Sequence, residues 1–172
     1  MKNKIKPTNK EIIVNDSDLL ISKSDPKGII TYVNNKFSTF SGYAECELIG
    51  QQHNIIRHPD MPRVIFKLLW TTIQSNREFN GYTKNLTKDG SYYWVFANVT
   101  PSFSADNNLL GYFSVRRKPD QNKLSYIKSF YAELLEIEKQ AKTSVAIDES
   151  MNRLNAILNA KEVGYDEFIL TI

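Results

Sequence analysis

GYTKNLTKDGSYYWVFANVTPSF, residues 81–103, decides the fold. Two stretches rich in aromatic and β-branched residues flank Asp89–Gly90. Such residues suit a pleated, half-buried surface, and Asp-Gly favours the positive-φ turn that joins antiparallel strands, so the stretch reads as a hairpin. LLGYFSVRRK (109–118), after the polar break at Ala105–Asn108, supplies the next strand. Upstream, Asp18–Ser24 and GIITYVN (28–34) read as another strand pair joined at Asp25–Gly28. There Ile30, Tyr32 and Asn34 alternate with Ile29, Thr31 and Val33.

The segment between these pairs is helical. Residues 34–41 form a short helical turn, and SGYAECELIG (41–50) a second, with Ser41 as its N-cap and Gly50 as its stop. In HNIIRHPDMP (53–62) two prolines restrict the backbone around a charged cluster, which predicts a rigid, irregular connection. From Pro62, apolar Val64, Ile65, Leu68, Leu69 and Ile73, with Thr72, recur at helical spacing to about Ser75–Asn76. Strand, strand, helices, then three strands is an α+β layout with a largely antiparallel sheet, not a βαβ repeat. Beyond Pro119, Leu124, Ile127, Tyr131, Leu134, Leu135 and Glu138 mark a long amphipathic helix. Met151, Leu154, Ile157 and Leu158 mark another, and a last short helix is capped around Asp166.

Composition narrows the function. A chain of 172 residues with 41% hydrophobic content buries one core, so we expect one domain with appendages: an arm (1–17), a domain (18–119) and a helical tail (120–172). Charges of both signs are interspersed and the net is +3, which argues against a nucleic-acid surface; RRK at 116–118 reads as a solvated strand end. The longest apolar runs fall far short of the roughly 18–20 residues of a membrane span. MKNKIKPTNKEI lacks the apolar core of a secretory signal, so a cytoplasmic location without membrane insertion is expected. Cys46, the single cysteine, excludes an internal disulfide or Cys-based zinc site and reads as a small buried hydrophobe. His53 and His58 lie around prolines and share no helix face, and no nucleophile–base arrangement appears. A metal site and an enzyme are therefore not expected.

GIITYVNNKFSTFSGYAECELIG, HNIIRHPDMP, FKLLW, GYTKNLTKDGSYYWVFANVTP and LLGYFSVRRKP, in this order, resemble the flavin-binding PAS domain of the bacterial energy-taxis (aerotaxis) sensors, the Aer family. The resemblance runs from about residue 18 to 119. Lacking an anchor or a methyl-accepting region, the chain is more similar to the free-standing, CetB-like PAS partners of split systems in Campylobacter-type bacteria. The resemblance implies a PAS fold: a five-stranded antiparallel sheet, short helices on one face, and FAD held non-covalently between them. It further implies a cytoplasmic redox sensor that reports to a membrane-bound chemotaxis transducer supplied by another chain, and a homodimer.

Arg57, His58 and Asp60 match family positions needed to retain FAD. The diphosphate favours an Arg fork, so Arg57 is the expected anion contact, while His58 and Asp60 either touch the cofactor or pin the Pro59 turn. His53 stands where light-oxygen-voltage relatives carry their photoreactive cysteine; with no thiol there, and Cys46 too early in the chain, adduct photochemistry is excluded. Asn85 matches an asparagine that hydrogen-bonds the flavin pyrimidine edge, which suits an amide with both donor and acceptor. Asn34 is a similar amide or else a turn cap. Trp70 and Trp94 pack in the core or lie against the ring system. Ser114 and Arg116 share a face of the last strand near the expected flavin N5, although Arg116 also fits a role in solvent. Three other readings stand beside this one: a haem-binding gas sensor using His53 or His58 as axial ligand, a cofactor-free dimerisation module, and a flavoenzyme, for which about a hundred residues of PAS domain leave little room for a second substrate. The tail could pack on the sheet, dock on a transducer or, as the favoured choice, pair two protomers.

Overall fold

The computed structural model describes residues 5–172, so the first four residues of the expected arm lie outside it. Strands β1 (Leu20–Ser24) and β2 (Ile30–Val33) are followed by helices α1 (Asn35–Ser41) and α2 (Glu45–Leu48), a 3-10 turn (His53–Ile56) and α3 (Arg63–Gln74). Then come β3 (Phe79–Leu86), β4 (Tyr92–Phe103), β5 (Leu109–Arg117), and the tail helices α4 (Gln121–Gln140), α5 (Ala146–Ala160) and α6 (Tyr165–Thr171). The strands form one five-stranded antiparallel sheet in the order β2-β1-β5-β4-β3. This is the α+β architecture expected.

Local chemistry sets the turns. Asp25 Oδ1 accepts from the backbone N–H of Lys27 and Ile29, at 2.8 and 2.9 Å, closing the β1–β2 turn. Thr87 and Ser91 pair across Asp89–Gly90, with Gly90 at φ +87°. Two details differ from expectation. Ser41 ends α1 instead of capping α2, whose first turn is closed by Glu47 accepting from Ala44 N–H at 3.0 Å. Cys46 is exposed, because four-residue α2 turns only Leu48 inward.

Strand parity divides the core. Thr83, Asn85, Ala97, Val99, Ser114 and Arg116 face α3 and the 3-10 turn across a cavity. Tyr82 and Trp94 face the other way, against the tail: the Tyr131 hydroxyl donates to Tyr82 C=O at 3.1 Å, and the Trp94 and Tyr131 ring centroids lie 6.2 Å apart. The apolar stripe of α4, with Leu124, Ile127, Tyr131 and Leu134 all buried, packs within its own chain. Removing Tyr82, Trp94 and this stripe from water is a large share of the hydrophobic driving force, at about 25 cal/mol per Å² of apolar surface.

Candidate functional site

The cavity between sheet and helices has a volume of about 390 Å³, within the ~300–1,000 Å³ range of small-molecule sites. Register builds its floor. Ser22 pairs with Ser114, Val99 with Ser114, and Ala97 with Arg116, so the inward residues of β1, β5 and β4 stand side by side. Thr83 and Asn85 extend this floor along β3. Phe66, Leu69, Trp70 and Ile73 of α3 supply an apolar wall. Gly28, at φ +80°, lets Trp70 close one end: a Cβ there would meet the indole at 2.9 Å.

The floor holds polar groups that the protein leaves unpaired. Asn85 Nδ2, Thr83 Oγ1 and Ser114 Oγ are buried and have no hydrogen-bond partner among the described residues. An unmet buried polar atom costs about 1–3 kcal/mol, so three such atoms facing one cavity ask for a ligand or water to meet them. Beside them Arg116 is only 6% exposed and has no carboxylate partner among the described residues. Its Nη1 donates to Ser22 Oγ and its Nη2 to His53 Nε2, both at 3.0 Å. Burial pushes the guanidinium down to about 10.

A guanidinium only donates, so His53 Nε2 must accept, and the imidazole is neutral with its proton on Nδ1. Burial first, then the Arg116 charge, push His53 down to about 3.

Sequence-predicted residues divide into two groups. His53, Arg57, Trp70, Asn85, Ser114 and Arg116 line the cavity. Arg57 lies over the Phe66 ring at 4.0 Å, donates weakly to Met61 C=O at 3.4 Å and makes no ion pair among the described residues. It also borders a second hollow of about 590 Å³, toward Leu86 and Leu135.

The other four residues do not line the cavity. Asn34 is wholly used as the α1 cap: its Oδ1 accepts from Ile21 and Phe37 N–H at 3.0 Å, and its Nδ2 donates to Leu19 C=O at 2.8 Å. His58 is buried and pins the Pro59 turn, its Nδ1 accepting from Asp60 N–H at 3.1 Å, while Asp60 pairs with Lys84 at 2.8 Å. Trp94 lies opposite Lys84, on the tail side of the sheet. Arg116 corrects the solvated-strand-end reading, because pairing with β1 on one side and β4 on the other buries it. Sequence reasoning missed Ser22 and Thr83. Thr83 carried a signal: it is two residues before Asn85 and so on the same face.

His58 is pushed down to about 4, by burial and by Lys84, partly offset by Asp60. Both histidines are thus held neutral in the fold but titrate near 6.5 when unfolded. The unfolded chain takes up protons first, so stability is complete above about pH 6.5 and falls as pH drops toward the two lowered values. Denaturation midpoints measured between about pH 7.5 and pH 5 should decline. His53→Asn should flatten the slope; a slope unchanged by that substitution would refute a neutral His53.

A sheet of this order, cupping a cavity against short helices, defines an α+β domain of the PAS type. The chain belongs to the PAS fold family, whose model matches residues 30–116. It is 36% identical over 119 residues to the aerotaxis receptor of Escherichia coli (strain K12), covering 69% of this chain and 23% of that protein. It is 28% identical to a nitrogen fixation regulatory protein of Klebsiella pneumoniae, covering 61% of this chain and 21% of that one. The chain thus spans less than a quarter of these relatives' length. Among solved structures, a PAS domain from Colwellia psychrerythraea matches with a TM-score of 0.54 at 23% identity, covering 59% of this chain and 86% of that one. A light-oxygen-voltage domain matches with a TM-score of 0.57 at 22% identity, covering 67% of this chain and 87% of that one. These structural likenesses speak for the fold. No helix among the described residues is long and apolar enough to cross a membrane.

Proposed function

We propose that the cavity binds FAD non-covalently and that the protein is a redox sensor for energy taxis, not an enzyme. In this reading residues 18–119 are the sensor, 120–172 its helical tail and 1–17 its arm. The observation that carries it is the set of buried Asn85, Thr83 and Ser114, unpaired among the described residues, beside an Arg116 with no acid partner among them, all on one side of an apolar slot. A flat ring system with one carbonyl-rich edge fits that division: Asn85 Nδ2 and Arg116 donate, the two hydroxyls adapt, and Phe66, Leu69 and Trp70 cover the apolar face. Arg57, in no salt bridge among the described residues and placed between the two hollows, would hold a diphosphate leaving the slot.

A flavin supplies a group whose charge and hydrogen-bonding pattern change with oxidation state. Asn85 can answer such a change by turning its amide to offer oxygen in place of nitrogen. Neutral His53 and Ser22 keep Arg116 aimed into the slot. A re-pairing of this kind shifts the populations of the surrounding sheet and helices, and so the affinity for a partner. Similarity to an aerotaxis receptor supports a membrane-bound chemotaxis transducer as that partner, with the sensor a cytoplasmic, dimeric, CetB-like component. The haem reading is disfavoured by a specific contact: the one free lone pair of His53 accepts from Arg116, a fixed positive charge where a metal would bind.

Absorbance of freshly purified protein tests the reading. We expect a flavin spectrum that bleaches with dithionite, and Arg57→Ala protein that purifies with little flavin. A Soret band, or folded protein that stays colourless in excess FAD, would overturn it.

A further inference from the structure

We propose that the tail completes the ligand site: Glu138 is a positioning residue for the cavity wall, Ile147 is part of that wall, and ligand binding and tail docking strengthen each other. The proposal rests on the reading that the cavity takes FAD.

Helix α3 opens without a cap of its own. Its N-cap is Pro62, which offers no side-chain acceptor, and its first turn has no acidic residue. The N–H groups of Arg63 and Val64 therefore start unpaired. Glu138, on α4, supplies what is missing. Its Oε1 accepts from Val64 N–H at 2.8 Å, and its Oε2 from Arg63 N–H at 2.9 Å and Arg63 Nε at 3.1 Å.

Glu138 is only 6% exposed and shares a stripe with Leu134, where an apolar residue would pack without desolvating a charge. Its place there is explained by α3. Negative charge at the start of a helix is favourable, and the paired carboxylate fixes where that helix begins.

The consequence reaches the cavity, since Phe66, Leu69 and Trp70 follow on the same helix and the Phe66 ring supports Arg57. A second contact is direct: Ile147 of α5 lines the same cavity. Buried Ser150 donates to Leu134 C=O at 3.4 Å, tying α5 to α4. With the tail undocked, the cavity would lose a wall residue and α3 its N-terminal anchor. Whatever the docked tail adds to ligand affinity, the ligand must add to docking, because binding free energies are reciprocal.

The experiment measures FAD affinity by fluorescence titration and amide hydrogen exchange with and without FAD, on the full chain and its Glu138→Ala, Glu138→Gln and Ile147→Ala variants. Glu138→Ala should weaken FAD roughly tenfold, and Glu138→Gln, which keeps one acceptor oxygen, by less. FAD should slow exchange across α4 and α5 in the wild type, and less so in Glu138→Ala and Ile147→Ala. A role confined to stability would lower the melting point of Glu138→Ala and leave its affinity at low temperature unchanged. That result, or bound FAD with no effect on tail exchange, would overturn the proposal.

If the wild type takes up no FAD, the flavin reading fails separately. Ligand-free exchange then decides the coupling: Glu138→Ala must speed exchange in the first turn of α3 and across α4 and α5 together. Acceleration confined to α3 would overturn it.

Discussion

Arg116→Met should weaken FAD binding on the order of 100-fold while leaving the ligand-free protein as stable as before, or more so. The guanidinium is buried without a carboxylate partner among the described residues, so the ligand-free fold carries the cost of desolvating it. Replacing a buried charge by an apolar side chain of similar length is often neutral or stabilising by about 1 kcal/mol or more. At this chain length 1 kcal/mol moves the melting midpoint by roughly 2–4 °C. Ser22 and His53 lose their donor but keep each other, at 2.9 Å. The ligand loses a charge-assisted hydrogen bond worth about 2–3 kcal/mol, which is the stated fold-change. His53 provides an internal check: without the neighbouring charge its depressed pKa should move back toward the ordinary range. Calorimetric titration and a melting curve on the same sample read both effects. Lost stability with unchanged affinity would make Arg116 a purely structural residue.

Gly111→Ala should destabilise the fold by about 3 kcal/mol or more, through backbone strain and overpacking together. Gly111 has φ +148°, and an added Cβ would lie 2.0 Å from Ser24 C=O and 3.2 Å from Asp25 Cα. Backbone cannot swing aside as a side chain can, so β1 and β5 would have to part. Those strands carry Ser22, Ser114 and Arg116, so ligand affinity should fall with stability. Gly164→Ala is the matched control: nothing lies within 4 Å of its added Cβ. Its only expected cost is the poorer N-cap that Ala gives α6, about 1 kcal/mol or less. A folded Gly111→Ala protein with a wild-type denaturation midpoint would show that β1 and β5 are not packed as closely as described.

What the sequence disclosed follows the range of the forces involved. Asp89–Gly90, the Asp25–Gly28 turn and the 62–76 periodicity are short-range signals, and strands and helix stand where they put them. The reading of Arg116 as part of a solvated strand end failed for the opposite reason. RRK looks like solvent-facing charge until β1, some ninety residues earlier, is laid beside β5. Trp94 could have been placed, because a hairpin about Asp89–Gly90 sets Tyr93 opposite Asn85 and so turns Trp94 to the other face. Glu138 also left a trace: a charge four residues after Leu134, on the stripe of an amphipathic helix, is out of place unless something distant needs it. That the something is the start of α3 could not be read locally. Asn34 and His58 show the converse, since the helix or loop beside each had a use for it, whereas Asp60 is claimed by Lys84 of β3.

The most direct measurement is an equilibrium titration of the folded, flavin-stripped 172-residue chain with FAD, its folding verified by circular dichroism. Saturation at one FAD per chain, with affinity sharply reduced in Arg116→Met, is the predicted result. Protein that keeps its native spectrum and takes up no FAD at any excess would contradict the account.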